Sequence, residues 1–115
     1  MNSETAIARL AALAQEHRLA IFRLLVKQGP KGLPAGDIGE RVGISATSAS
    51  FHLKELDRAG LIGAKRDGRF IRYAFRAQAM NELLTFLTED CCQGHPELCG
   101  GIFMKNGKEV EDIEP

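Results

Sequence analysis

Residues 43–60, Gly-Ile-Ser-Ala-Thr-Ser-Ala-Ser-Phe-His-Leu-Lys-Glu-Leu-Asp-Arg-Ala-Gly, constrain the fold more than any other part of the 115-residue chain. Ser45 is the residue type of an N-cap and Gly60 that of the position just past a C-cap, so the segment between them reads as one helix. Ala49, Leu53 and Leu56 recur at i, i+4 and i+7 and make a narrow apolar stripe suited to a core. The opposite stripe is Thr47, Phe51, Lys54 and Arg58. A DNA major groove can use such a face. Lys54 and Arg58 can meet phosphates, Thr47 and Ser48 can hydrogen-bond base edges, and Phe51 can rest on a thymine methyl. An ordinary surface helix with Phe51 buried against a neighbour fits the same pattern.

The flanking sequence gives this helix a context. Residues 5–14 place Ile7, Leu10, Ala11 and Ala14 at helical spacing and predict a short amphipathic helix. Residues 16–27, with Leu19, Ile21, Phe22, Leu24, Leu25 and Val26, predict a second helix, apolar nearly all round and therefore the most buried. Gly29-Pro30-Lys31-Gly32 breaks it, and Pro34 opens a third short helix over 35–42. A tight turn at Gly43-Ile44 then leads into the helix described above, which is a helix-turn-helix arrangement. After Gly60 the period changes. Residues 61–66 and 69–75 flank Asp67-Gly68, a pair that favours a type I′ hairpin, with Ile71, Tyr73 and Phe75 on one docking face. Counted outward from that turn, Arg66 and Arg69 become cross-strand partners, a repulsive pair unless something anionic lies between them. With Lys65 and Arg72 they form a basic loop, the shape of a wing that reaches DNA backbone or minor groove. A last amphipathic helix is expected over 78–90, with Met80, Leu83, Leu84 and Leu87 on one stripe. The first and last helices carry apolar stripes that a small core cannot fully use, so they are the expected surface of a homodimer.

Charge separates the two parts of the chain. The formal net charge is zero, yet residues 1–81 hold 13 Lys+Arg against 7 Asp+Glu, and residues 82–115 hold 2 against 8. A basic body with an acidic end suits a polyanionic partner held by the first part alone. No stretch of the sequence approaches a membrane span and the first residues carry no basic leader, so a cytoplasmic location with no membrane partner is expected.

In the order helix, helix, helix-turn-helix, wing, helix, the chain resembles the ArsR/SmtB repressors. Glu-His-Arg-Leu-Ala-Ile-Phe-Arg-Leu-Leu is similar to that family's Pro-Thr-Arg-Leu-x-Ile-Leu-x-Leu-Leu segment. Ser45, Ser50, His52, Leu53, Lys54, Leu56, Ala59, Gly60 and Leu61 match its recognition-helix pattern, which adds Ser50 to the residues expected at DNA. The resemblance covers roughly residues 5–90. It implies a mainly α fold with a small β-hairpin, a dimeric winged helix-turn-helix. It also implies binding to two-fold symmetric double-stranded operator DNA, with release when a metal or metalloid binds. Residues 1–90 are then the DNA-binding and dimerisation domain, and 91–115 an inducer-binding segment with an acidic tail. One departure matters. Family members that sense arsenic through Cys-Val-Cys carry it at the start of the helix before the turn, and residues 33–39 here hold no Cys.

The only thiols, Cys91, Cys92 and Cys99, lie in Cys-Cys-Gln-Gly-His-Pro-Glu-Leu-Cys. An odd count within nine residues argues against a disulfide framework. Gly94 and Pro96 let the backbone fold back, and three thiolates suit a soft ion that forms three bonds, As(III) or Sb(III). Tetrahedral zinc with His95 as fourth ligand competes with this, as does a set of free surface thiols. The spacing also resembles an ArsR subgroup whose arsenite site lies at the end of the last helix. Repressors of the same fold that sense zinc or thiol oxidation are the alternatives. Catalysis is not expected, because the pair follows a helix C-terminus and the acids Glu89 and Asp90, all of which disfavour a thiolate nucleophile.

Overall fold

The computed structural model describes residues 1–89, in the order α1 (Ser3–Leu13), α2 (Glu16–Gln28), β1 (Leu33–Pro34), α3 (Ala35–Val42), α4 (Ala46–Arg58), β2 (Ile62–Asp67), β3 (Phe70–Phe75) and α5 (Ala77–Thr88). Three of the helices, α1, α2 and α4, start where a side chain satisfies one of the first free N–H groups. Asn2 Oδ1 accepts from the Thr5 amide at 2.8 Å, Gln15 Oε1 from Arg18 at 2.9 Å, and Ser45 Oγ from Ser48 at 3.1 Å. At the far end of α4 the Gly60 amide donates to the Asp57 carbonyl and the Leu61 amide to the Leu56 carbonyl, at 2.9 and 3.0 Å. This is the Schellman pairing, and Gly60 meets its need for positive φ at 82°.

The chain forms two units, Met1–Leu83 and Leu84–Pro115. The core of the first joins Ile21, Phe22 and Leu25 of α2 with Ile38 of α3 and Leu53 and Leu56 of α4, closed by Leu33, Leu61 and Ile62. Helix α2 is central as expected, but it is not apolar all round. Leu19 and Val26 are exposed, because seven residues of helix carry them to one side, opposite Ile21 and Leu25. In the second unit, the described residues complete α5, where Thr88 Oγ1 donates to the Leu84 carbonyl at 2.7 Å. No helix among the described residues is long and apolar enough to cross a membrane.

The sheet departs from the expected hairpin in two ways. A third strand, β1, pairs antiparallel with β3, so the order is β1-β3-β2 and Leu33 lies opposite Tyr73. Pro34 is tolerated there because β1 is an edge strand and is followed at once by α3. The second difference is register. Asp67 pairs with Phe70 and Arg66 with Ile71, so the turn residues are Gly68-Arg69 rather than Asp67-Gly68. Gly68, at φ 64°, stands first in the turn, the place that a type II′ hairpin reserves for glycine. Arg66 and Arg69 are therefore not cross-strand partners; the like-charged pair is Lys65 opposite Arg72. Tyr73 and Phe75 do face the helices, with the Phe75 ring edge-on to Phe22 at 6.3 Å between centroids, while Ile71 projects beyond the core and is exposed.

The turn between α3 and α4 is held at one point. The Gly39 carbonyl accepts from both Gly43 and Ile44, at 2.8 and 3.0 Å. A methyl group on Gly39 would lie 3.2 Å from the Ile44 carbonyl oxygen and 3.3 Å from Ala49 Cβ. Alanine in a helix is worth up to about 1 kcal/mol over glycine, but overpacking against backbone costs about 1–3 kcal/mol. Gly39→Ala is therefore expected to destabilise the protein, read as a lower urea midpoint at unchanged m-value; a raised midpoint would show that the turn can yield.

Candidate nucleic-acid interface

Helix α4 is held from behind. Ala49, Leu53 and Leu56 are buried, and so the face bearing Thr47, Ser50, Phe51, Lys54 and Arg58 is turned outward. Ser48 is half-buried beside its cap. Phe51 is 56% exposed and stands edge-on to the His52 ring at 5.3 Å, so the ring is on the surface rather than packed into a neighbour. Arg58 lies 3.3 Å from Glu55, one turn away, an exposed pair of the kind that contributes under about 1 kcal/mol and leaves the guanidinium available.

The wing residues divide by employment. Arg66 and Arg69 are exposed and, among the described residues, join no ion pair. Lys65 is exposed, with Nζ 3.5 Å from the Pro30 carbonyl. Arg72 is committed within the chain: Nε donates to the Lys31 carbonyl at 3.0 Å, Nη2 to that of Gly32 at 3.1 Å, and Nη1 lies 3.9 Å from Asp67. These bonds brace the hairpin against the segment leading into β1 and offset the repulsion of Lys65 opposite. Two residues that the sequence did not single out also stand here. Lys31 shares a hollow of about 580 Å³ with Lys65, Arg66, Asp67 and Arg72. Phe70, 62% exposed, opens β3 at the wing tip. Lys31 sits in a breaker cluster 34 residues before Lys65, and only the β1–β3 pairing shows that it borders the wing.

His52, behind the reading face, packs toward α2. Arg18 Nη1 lies 3.3 Å from His52 Nδ1, and the His17 and His52 rings are 5.7 Å apart. Arginine has only donors, so Nδ1 must accept and the proton of neutral His52 sits on Nε2. Burial first, then the Arg18 charge and His17, lower the His52 pKa, and Glu55 opposes them. The folded state therefore disfavours protonation, and stability that is full above the ordinary histidine value of about 6.5 is lost as pH falls below it. The urea midpoint is expected to drop with acidification more steeply in the parent than in His52→Gln, which keeps an acceptor for Arg18 and does not titrate. Parallel pH profiles would remove His52 as the cause.

Cys91, Cys92, Cys99 and His95, with the whole segment 91–115, lie outside the described residues. Among the described residues no group of three or more His, Cys, Asp or Glu side chains is arranged to hold a metal ion.

A helix-turn-helix whose second helix is buried along its back and polar along its front, beside a hairpin bearing exposed cations, defines a winged helix-turn-helix DNA-binding protein. Residues 13–62 match the family described as a helix-turn-helix domain. The chain is similar to the HTH-type transcriptional regulator YgaV of Escherichia coli (strain K12), with 33% identity over 91 residues, 79% of this chain and 90% of that one. It is also similar in structure to an ArsR-like transcriptional regulator from Rhodococcus sp. RHA1, at 25% identity and a TM-score of 0.70 over 84% of this chain and 88% of that one. The homodimeric winged helix-turn-helix DNA-binding domain of Mb0332 from Mycobacterium bovis matches with a TM-score of 0.62 and 25% identity, over 80% and 85% of the two chains. The chain belongs to the helix-turn-helix transcriptional regulators, and among them its winged fold is similar to that of the ArsR-like regulators.

Proposed function

We propose that this regulator is a repressor that sits on operator DNA as a homodimer and leaves it when As(III) or Sb(III) is bound by Cys91, Cys92 and Cys99. The observation that carries the DNA half is the outward face of α4, with Phe51 exposed among Thr47, Ser50, Lys54 and Arg58. Thr47, Ser48, Ser50 and Phe51 read bases, while Lys54, Arg58, Lys65, Arg66 and Arg69 hold phosphates. Arg72 supports the wing from behind.

The dimer reading rests on apolar side chains left at the surface. Ile7, 65% exposed, and Leu10 line α1, and Leu84 and Leu87 are exposed on α5. A second copy covers both stripes in this reading, and two α4 helices then enter successive major grooves ~34 Å apart on a two-fold symmetric site. The inducer half rests on the sequence, in which Cys91 and Cys92 follow the last helix expected over 78–90 and Cys99 comes seven residues later. Binding at that point acts on how α5 packs in the dimer, and release follows only so far as the ion prefers the released state.

Two sets of variants test this. Phe51→Ala is expected to weaken binding to a selected operator far more than to a scrambled duplex, whereas Arg66→Ala or Arg69→Ala weakens both and reduces the salt slope by about one unit each. Equal losses on both duplexes for Phe51→Ala would place the ring outside base readout. Single Cys→Ser changes at positions 91, 92 and 99 are expected to leave operator binding intact and abolish release by arsenite, with a typical coupling of about 1–3 kcal/mol lost. Variants that all still respond would locate the sensing site elsewhere. A response to zinc that His95→Ala removes would replace arsenite with a Cys₃His zinc site, and release by peroxide alone would make the thiols an oxidation sensor.

A further inference from the structure

Arg9, on α1, is an arginine whose side chain is only 13% exposed and whose guanidinium joins α1 to two other helices. Its Nε donates to the carbonyl of Ala59, the C-cap of α4, at 3.1 Å. Its Nη1 donates to the Ala79 carbonyl in the first turn of α5 at 3.1 Å and pairs with Glu82 Oε1 at the same distance. Gln78 Nε2 donates to the other oxygen of that carboxylate at 3.3 Å, which holds it in place. Gly60 completes the seat, since a methyl group there would lie 3.3 Å from Arg9 Nη2. The Ala59 carbonyl is one of the acceptors that a helix end leaves without an intrahelical partner, and a cation is favoured there.

We propose that Arg9 is a positioning residue for DNA recognition: it clasps the C-terminal end of α4 to α1 and α5 and thereby sets the angle at which α4 meets base edges. This rests on the reading of α4 as the base-reading helix. Thirteen residues make α4 about 20 Å long, so a tilt of about 10° at the clasp moves the opposite end by about 3 Å. Hydrogen bonds to bases tolerate a few tenths of an ångström, and such a tilt breaks them. Contacts from long Lys and Arg side chains to phosphates follow the movement. The clasp therefore governs discrimination between sequences more than attraction to DNA. It also joins the recognition helix to both helices proposed for the dimer, so a change in their packing reaches α4 through Arg9.

The test compares a duplex selected by the parent protein from a random pool with a scrambled duplex of equal length, at one salt concentration and well below the melting temperature of each variant. Arg9→Lys keeps the charge but cannot span the three partners. It is expected to lower the ratio of selected to scrambled affinity about tenfold, with the scrambled affinity and salt slope unchanged. Glu82→Ala, at an exposed position, removes one anchor and is expected to lower the ratio about threefold. Loss of stability alone would reduce both affinities together. A ratio that stays at the parent value in folded Arg9→Lys overturns the clasp, and if that variant does not fold, Glu82→Ala decides by the same criterion. A parent that enriches no duplex at all would overturn the α4 reading and the clasp with it, whereas a discriminating parent whose ratio no variant changes would overturn the clasp alone.

Discussion

Burial of one stripe of α4 is the constraint on which the rest depends. Leu53 and Leu56 are almost completely enclosed with Ile21, Phe22, Leu25 and Ile38, each Leu contributing about 1.5–3 kcal/mol relative to exposure. That anchoring is what allows the opposite face to be polar, cationic and aromatic without loss of the helix. A stripe of three residues supplies little apolar area of its own, so α4 relies on its ends as well. Ser45 opens it, the Schellman turn at Gly60 closes it, and the Gly39 carbonyl holds the turn that feeds into it.

The wing is built under a different constraint, that of like charges on a two-stranded ribbon. Lys65 and Arg72 lie directly opposite each other, an arrangement that costs a few tenths of a kcal/mol or more if left alone. Arg72 turns instead to the Lys31 and Gly32 carbonyls and toward Asp67, so the cation becomes a brace for the three-stranded sheet. The outer cations, Arg66 and Arg69, stay at the surface. An exposed cation on a rigid ribbon keeps its hydration until a phosphate replaces it, and the gain then comes chiefly from released counterions.

His52 and Arg9 hold α4 at two places, its middle and its C-terminal end. His52 sets α4 against α2 through an acceptor nitrogen that acid would remove, and Arg9 sets the C-terminal end of α4 against α1 and α5. Both contacts bear on where α4 is held and add no charge to its outward face. Discrimination between DNA sequences depends on orientation to within tenths of an ångström, whereas attraction to the backbone depends chiefly on charge.

The sequence by itself determined the helices and the two faces of α4. Capping groups and apolar spacing act over three to seven residues, and that range is visible in Ser45, in Gly60 and in the stripe Ala49, Leu53, Leu56. Residues 35–42 form the third helix as read, and the polar face of α4 lies outward with Phe51 on it. Tertiary structure decided the rest. A two-residue edge strand has no period to read, so β1 and its effect on Arg72 and Lys31 emerge only when β3 lies beside it. The turn moved by one residue, and each cross-strand partner by two, because either Asp67-Gly68 or Gly68-Arg69 offers a glycine to the turn; a shift of two leaves Tyr73 and Phe75 on the face that packs on the helices. Arg9 meets partners 50 and 73 residues away, and no local pattern encodes a contact whose partners are brought together only by closure of the core.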